Sequence, residues 1–175
     1  ITDTTTWTRV AKTTVGIAGG HEAATFSTDT DPNGSVIAYD DKPDAVGATE
    51  SVGIESEDAT GYLAAECGDA VNGEWLVGGS TLTGRDAVLT ISNATSVEAR
   101  IDLEFWGAKG AIDAPAAHGI IIPGGTQRTY SLAGFAPNES SPVVHVISNG
   151  APVWATLQVS AVRGLVSGGL DRITP

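Results

Sequence analysis

An all-β chain is predicted: an immunoglobulin- or fibronectin-III-like β-sandwich over residues 67–175, with a β-rich N-terminal region, residues 1–66, packed on it. Three observations predict it. No stretch sustains the i, i+3, i+4, i+7 apolar spacing of an amphipathic helix. The 175 residues include 22 glycines and 8 prolines, which punctuate short apolar runs at even intervals. Within those runs apolar and polar side chains alternate with period two, as a half-buried strand requires.

In the N-terminal region the β-like runs are short, at 24–28, 35–39 and 62–67. Asp31-Pro32-Asn33-Gly34 stands between the first two as a turn. Seven carboxylates follow between Asp40 and Asp58 (Asp40, Asp41, Asp44, Glu50, Glu55, Glu57 and Asp58), with Lys42 as their only basic neighbour. Such a density reads as a solvated loop or a cation-gathering lip.

From residue 67 onward seven strands are expected, at 74–77, 87–93, 98–106, 119–122, 127–132, 143–148 and 153–162. Gly78-Gly79, Asn93 to Ser96, Gly107 to Pro115, Pro123-Gly124-Gly125, Gly134 to Pro142 and Asn149-Gly150 separate them. The Asn-Gly pair, between two apolar runs, predicts a hairpin. Seven strands in this length suit a two-sheet sandwich better than a barrel. Along 100–106, Ile101, Leu103 and Phe105 share one face, and Arg100, Asp102, Glu104 and Trp106 the other. In the last strand Val153, Ala155, Leu157, Val159 and Ala161 oppose Trp154, Thr156, Gln158, Ser160 and Val162. Ile101, Leu103, Phe105, Leu157 and Val159 are therefore the expected core. The run 143–148 is apolar on both faces, which predicts a sheet covered on its outer side too. Residues 1–66 are the expected cover, with a partner or glycan as the functional alternative.

Net charge is −12, from 21 acidic and nine basic residues. Such a surface repels phosphate backbones, so nucleic acid is not an expected partner. Anionic membranes are disfavoured as well, unless a divalent cation bridges the two. Cys67 is the only cysteine, so no disulfide closes within the chain and no zinc site of the usual type forms; a buried thiol is expected. There is no methionine, no signal peptide and no 18-residue apolar span. The chain is expected to be a trimmed fragment whose targeting or anchoring segment lies upstream of Ile1, and membrane association is expected only through that segment.

Several segments carry a resemblance: Gly61-Tyr62-Leu63-Ala64-Ala65-Glu66-Cys67, Glu74-Trp75-Leu76-Val77-Gly78-Gly79-Ser80-Thr81-Leu82-Thr83-Gly84-Arg85, Leu89-Thr90-Ile91-Ser92-Asn93, Ile122-Pro123-Gly124-Gly125, and Arg163-Gly164-Leu165-Val166-Ser167-Gly168-Gly169-Leu170-Asp171. Together they resemble an actinobacterial secreted or membrane-tethered family classed only as a domain of unknown function. The resemblance spans about residues 60–175. It implies a place outside the membrane, behind an N-terminal anchor, and no activity. Some members of that family have a second cysteine near the N-terminus as a partner for the one matching Cys67. Here Val15-Gly16-Ile17 stands near that place, which leaves Cys67 unpaired.

The sharpest motif is Asp29-Thr30-Asp31-Pro32-Asn33-Gly34-Ser35-Val36-Ile37-Ala38-Tyr39-Asp40. Oxygen ligands fall at its first, third, fifth and twelfth positions (Asp29, Asp31, Asn33 and Asp40), with glycine at the sixth. That spacing wraps oxygens around one calcium ion. An EF-hand is excluded, because Asp40 is shorter than the usual bidentate Glu and no amphipathic helix flanks the loop. The other reading is the turn already described, with Asp and Asn serving its geometry.

His21, His118 and His145 are far apart and lack metal-type spacing; His145 is expected to be a hydrogen-bonded core residue. No nucleophile elbow, P-loop or HExxH is present. Asp102 and Glu104 share one outer face but read as exposed surface rather than a glycosidase pair. No cofactor is expected apart from calcium, and no catalytic residue. The expected function is a non-enzymatic extracytoplasmic module, a scaffold or protein-binding partner in the cell envelope. The alternative is a carbohydrate-binding domain that recognises cell-wall glycan through Trp106 and Trp154, both on outward positions. An outer face covered by residues 1–66 argues scaffold; an open one flanked by carboxylates argues sugar.

If the Asp29–Asp40 loop holds calcium, millimolar calcium should raise the melting temperature, and Asp31→Ala should abolish the rise. An unchanged melting curve would leave the turn alone.

Overall fold

The computed structural model describes residues 4–6, 14–17, 21–24, 48–55, 60–164 and 166–175. The proposed calcium ligands Asp29, Asp31, Asn33 and Asp40 lie outside the described residues, as do the run at 35–39 and all but Ala24 of that at 24–28. The described residues form an antiparallel all-β sandwich, with two short 3-10 turns at Pro115–Ala117 and Leu132–Gly134 and no α-helix.

The strands are β1 (Thr4–Thr6), β2 (Thr14–Ile17), β3 (His21–Ala24), β4 (Ala48–Glu55), β5 (Thr60–Cys67), β6 (Gly73–Val77), β7 (Arg85–Asn93), β8 (Ala99–Gly107), β9 (Gly110–Ile112), β10 (Ile120–Ile122), β11 (Thr126–Ser131), β12 (Val143–Gly150), β13 (Trp154–Arg163) and β14 (Val166–Ile173). Sheet I has the order β1-β11-β7-β13-β14. Sheet II has the order β10-β8-β12-β6, with β9 also paired to β8. The chain changes sheet between β6 and β7, β7 and β8, β10 and β11, β11 and β12, and β12 and β13. Successive strands therefore often face each other across the core.

That core follows from alternation. Ile101, Leu103 and Phe105 of β8, Val144 and Val146 of β12, and Leu76 of β6 point inward from sheet II. Leu89 and Ile91 of β7, with Ala155 and Leu157 of β13, meet them from sheet I, and Val159 packs at the margin. Each large aliphatic side chain buried in this way contributes about 1.5–3 kcal/mol. Asp102 and Glu104 stay outside the core, on the opposite face of β8.

Three sequence expectations are corrected here. All seven predicted strands are present, but Asn149-Gly150 does not close a hairpin: β12 lies in sheet II and β13 in sheet I. Gly150 supplies the positive φ of 98° for the turn, and Val153 enters the core on the far side. The flanking runs bury more apolar area by stacking face to face than by pairing edge to edge.

Second, the acidic stretch is not a loop throughout. Residues 48–55 form β4, paired with β5 over its whole length from Ala48↔Cys67 to Glu55↔Thr60. Alternating Glu50, Val52 and Ile54 with small residues is compatible with a strand whose charges face solvent or a partner cation.

Third, β14 extends sheet I through a Gly-rich segment read only as a family motif. A register shift between Ser160 and Val162 bends its partner β13. Gly168 there lies so close to the Ala161 carbonyl that a Cβ would collide with it, so a bulge with glycine is what lets the ladder continue.

Among the described N-terminal strands, β1, β4 and β5 pack on the sandwich, and they do so on sheet I. Strand β1 pairs with the sheet edge at β11, from Thr4↔Arg128 to Thr6↔Thr126. The β4–β5 hairpin lies against β14, where Glu50 forms an ion pair with Arg172, whose guanidinium also donates to Gln158 Oε1 at 3.1 Å. Thr90, Ser92, Thr156 and Arg172 face away from the core and yet are buried. The outer face of sheet I is therefore itself covered.

Removing residues 1–66 strips β1 from an edge and the hairpin from Arg172, and breaking a buried ion pair on one side typically costs about 3–5 kcal/mol. Residues 67–175 expressed alone should therefore be much less stable to urea than the whole chain, or insoluble. Equal stability would show that the N-terminal contacts contribute nothing.

Candidate functional site

The outer face of sheet II has a different character. Strand pairing places its side chains in rows: Val77, Val143 and Trp106 in one, Trp75, His145 and Glu104 in the next, then Gly73, Ile147 and Asp102. Trp75 is 49% exposed and Val77 62%. Among the described residues no N-terminal strand pairs with this sheet.

The centre of the face is aromatic. The indoles of Trp75 and Trp106 meet diagonally across β12, ring centroids 5.2 Å apart and planes tilted by 35°. The imidazole of His145 stacks on Trp75 at 4.0 Å with planes 5° apart. Its Nδ1 lies 3.1 Å from Glu104 Oε2. This chain of contacts runs along one row of the sheet, so the strand register itself holds the Trp75 ring in place. His145 is hydrogen-bonded, as the sequence suggested, but it stands on the outer face and not in the core.

A second polar cluster sits at the β10 side. Asp102 Oδ1 accepts the Gly119 N–H at 2.8 Å and lies 3.5 Å from His118 Nδ1, while Asn149 Nδ2 reaches Oδ2 at 3.4 Å. Asp102 is thereby satisfied within the chain. Between this cluster and Trp106 the surface sinks into a depression of about 200 Å³. Its side-chain wall includes Trp106, Glu104, Asp113 and His118. Among the described residues no three His, Cys, Asp or Glu side chains converge as a metal site.

Trp106 and Trp154 are not brought together. Trp154 belongs to β13 in sheet I, on the other side of the molecule, and its ring packs against Gly68, where a Cβ would strike it. Trp154 thus packs against this chain. Trp75 takes its place beside Trp106. Sequence reading did not single it out because 74–77 has no polar side by which alternation could assign an outward face: Glu74 and Leu76 alternate with Trp75 and Val77. Cys67, expected to be buried, is half-buried at the end of β5, and that partial burial raises its thiol pKa.

Glu74 is the inward member of that strand. It is 4% exposed, in the row of Val146 and Leu103, and among the described residues neither carboxyl oxygen has a hydrogen-bond partner. Burial pushes its pKa up to about 8, and the Ala155 N–H, near it but outside good hydrogen-bonding geometry, offsets only part of this. Glu74 is a neutral acid at pH 7, directly behind Trp75 in the chain.

Fold and face together define a β-sandwich that carries an open aromatic platform on one sheet and a covered surface on the other. The chain belongs to a family of unknown function, DUF5719, which matches residues 24–175. No curated protein and no solved structure matches it.

The folded pKa of Glu74 lies above its ordinary 4.5, so the ionisation penalty is absent at acid pH, where both states are protonated. Stability falls as pH rises through the interval from 4.5 to about 8, where the unfolded chain ionises first. Glu74→Gln should therefore gain on the native chain by on the order of 3 kcal/mol between pH 4.5 and pH 7. Urea denaturation at the two pH values measures this, and a pH-independent gap would show that Glu74 ionises freely in the fold.

Proposed function

We propose that this protein is a non-enzymatic binding module of the cell envelope, and that its ligand is a glycan held on the Trp75–Trp106 face. The carrying observation is the open pair of indoles beside carboxylates on sheet II. Pyranose rings present C–H faces that pack on indole, while their hydroxyls need hydrogen-bond acceptors at the edge. Trp75 and Trp106 offer the first; Glu104 and Asp113 offer the second. The platform is ordered before a ligand arrives, because His145 and Glu104 brace Trp75, and this reduces the entropy lost on binding.

A location outside the membrane, in an actinobacterial envelope, is supported by the resemblance carried by 60–175 and suits a surface of net charge −12. A second reading, a scaffold that binds protein, is favoured by β6 itself. Among the described residues it is an edge strand, with Val77 exposed and preceded by the 38%-exposed Val71, and an unpaired strand edge accepts an extended segment of another chain.

Titration with soluble β-linked oligosaccharides, followed by intrinsic tryptophan fluorescence and calorimetry, tests the glycan reading. Trp75→Ala and Trp106→Ala should each weaken binding at least tenfold, and Trp154→Ala should leave affinity unchanged provided the variant folds. Binding that survives loss of both Trp75 and Trp106, or no binding at all, would refute it and favour the protein partner.

A further inference from the structure

Resting on the glycan reading of this face, we propose that the sugar it takes carries a free amino group: the ligand class is a cationic, unacetylated amino-sugar glycan. The observations come from the depression beside Trp106. Its volume of about 200 Å³ is of the order of one sugar ring, and it opens alongside the platform.

Hydrogen-bond capacity there is one-sided. Among the described residues, Glu104 has one oxygen engaged by His145 and the other without a partner, and the exposed Asp113 carboxylate makes no hydrogen bond or ion pair. Among the described residues the donor side chains in the lining are His118, which already leans on Asp102, and the indole N–H of Trp106. No Lys or Arg lines the depression. Arg100, on the same face of β8, stands at its far end against Gly119.

Three sugar chemistries are separated by this arrangement. A uronate or phosphate would bring negative charge onto Glu104 and Asp113 in a chain of net charge −12 and be repelled. An N-acetyl group is neutral and brings no charge for Glu104 and Asp113 to pair with. An ammonium group brings three donors and no acceptor. It forms charge-assisted hydrogen bonds with the two carboxylates and lies beside the indole face of Trp106, where a cation is attracted by the ring quadrupole. Aromatic and acidic parts of the site then act on the same residue of the ligand.

The test compares the intact chain with three tetrasaccharides by calorimetry at pH 6 and low salt: glucosamine, N-acetylglucosamine and glucose, all β-1,4-linked. Glucosamine should bind at least tenfold more tightly than the other two. Most of that preference should vanish in half-molar sodium chloride. Asp113→Asn, at an exposed position that contributes nothing to the core, should lower the preference several-fold, because it weakens binding of the glucosamine tetramer more than binding of the glucose tetramer. Pentalysine serves as the control for charge alone. Equal affinity for the three sugars would overturn the amino-sugar assignment and leave the glycan platform standing. Pentalysine binding as tightly as glucosamine would overturn the assignment in favour of a basic peptide. No binding of any sugar would overturn both.

Discussion

Period-two alternation along β8, imposed by packing two sheets face to face, is the constraint on which the rest of the structure depends. Ile101, Leu103 and Phe105 must all reach the core together, since a slip of one residue would bury Asp102 and Glu104 instead. With that register set, Asp102, Glu104 and Trp106 are carried outward at fixed spacing. Strand β12 pairs with β8 and inherits the same phase, so Val144 and Val146 go inward and His145 outward, opposite Glu104. Strand β6 pairs with β12 in turn and brings Trp75 beside His145. The platform is thus a by-product of core packing, three strands wide.

Sheet I and sheet II solve the problem of their outer faces differently. Sheet I carries Thr, Ser and Gln outward and is nevertheless covered, with Arg172 clamped to Glu50 of the β4–β5 hairpin. A buried guanidinium needs a carboxylate close by, so the hairpin and β14 depend on one another. Sheet II carries Trp, Val and Ile outward, and Trp75 and Val77 remain exposed. Exposed apolar patches of this kind commonly mark interaction sites, and the proposed binding role rests on this one. The described N-terminal strands β1, β4 and β5 lie on the sheet opposite the run 143–148.

Glu74 and Trp75 show how one short strand serves both sides. The pleat sends adjacent residues to opposite faces, so placing an indole on the platform obliges the preceding side chain to enter the core. That side chain is a carboxylic acid with no partner among the described residues, kept neutral by burial. Leucine or valine would pack there at less cost in stability. Nothing in the described structure uses the Glu74 carboxyl, and its presence has no structural explanation here.

The sequence by itself determined the all-β class, the seven strands from residue 67 onward, and the inward set Ile101, Leu103, Phe105 and Leu157. These follow from local rules, since turn residues mark strand ends and alternation marks the buried face. It also determined that Trp106 points outward. Tertiary structure alone decided which strands share a sheet. Asn149-Gly150 has the local chemistry of a hairpin whether the following strand pairs or crosses over, and only the competition between edge pairing and face stacking separates the two outcomes. That choice put Trp154 on sheet I against Gly68 and left Trp75 as the partner of Trp106. The acidic stretch around Glu50 became a strand for a similar reason: its carboxylate meets Arg172, 122 residues away, and no local pattern encodes a contact at that separation.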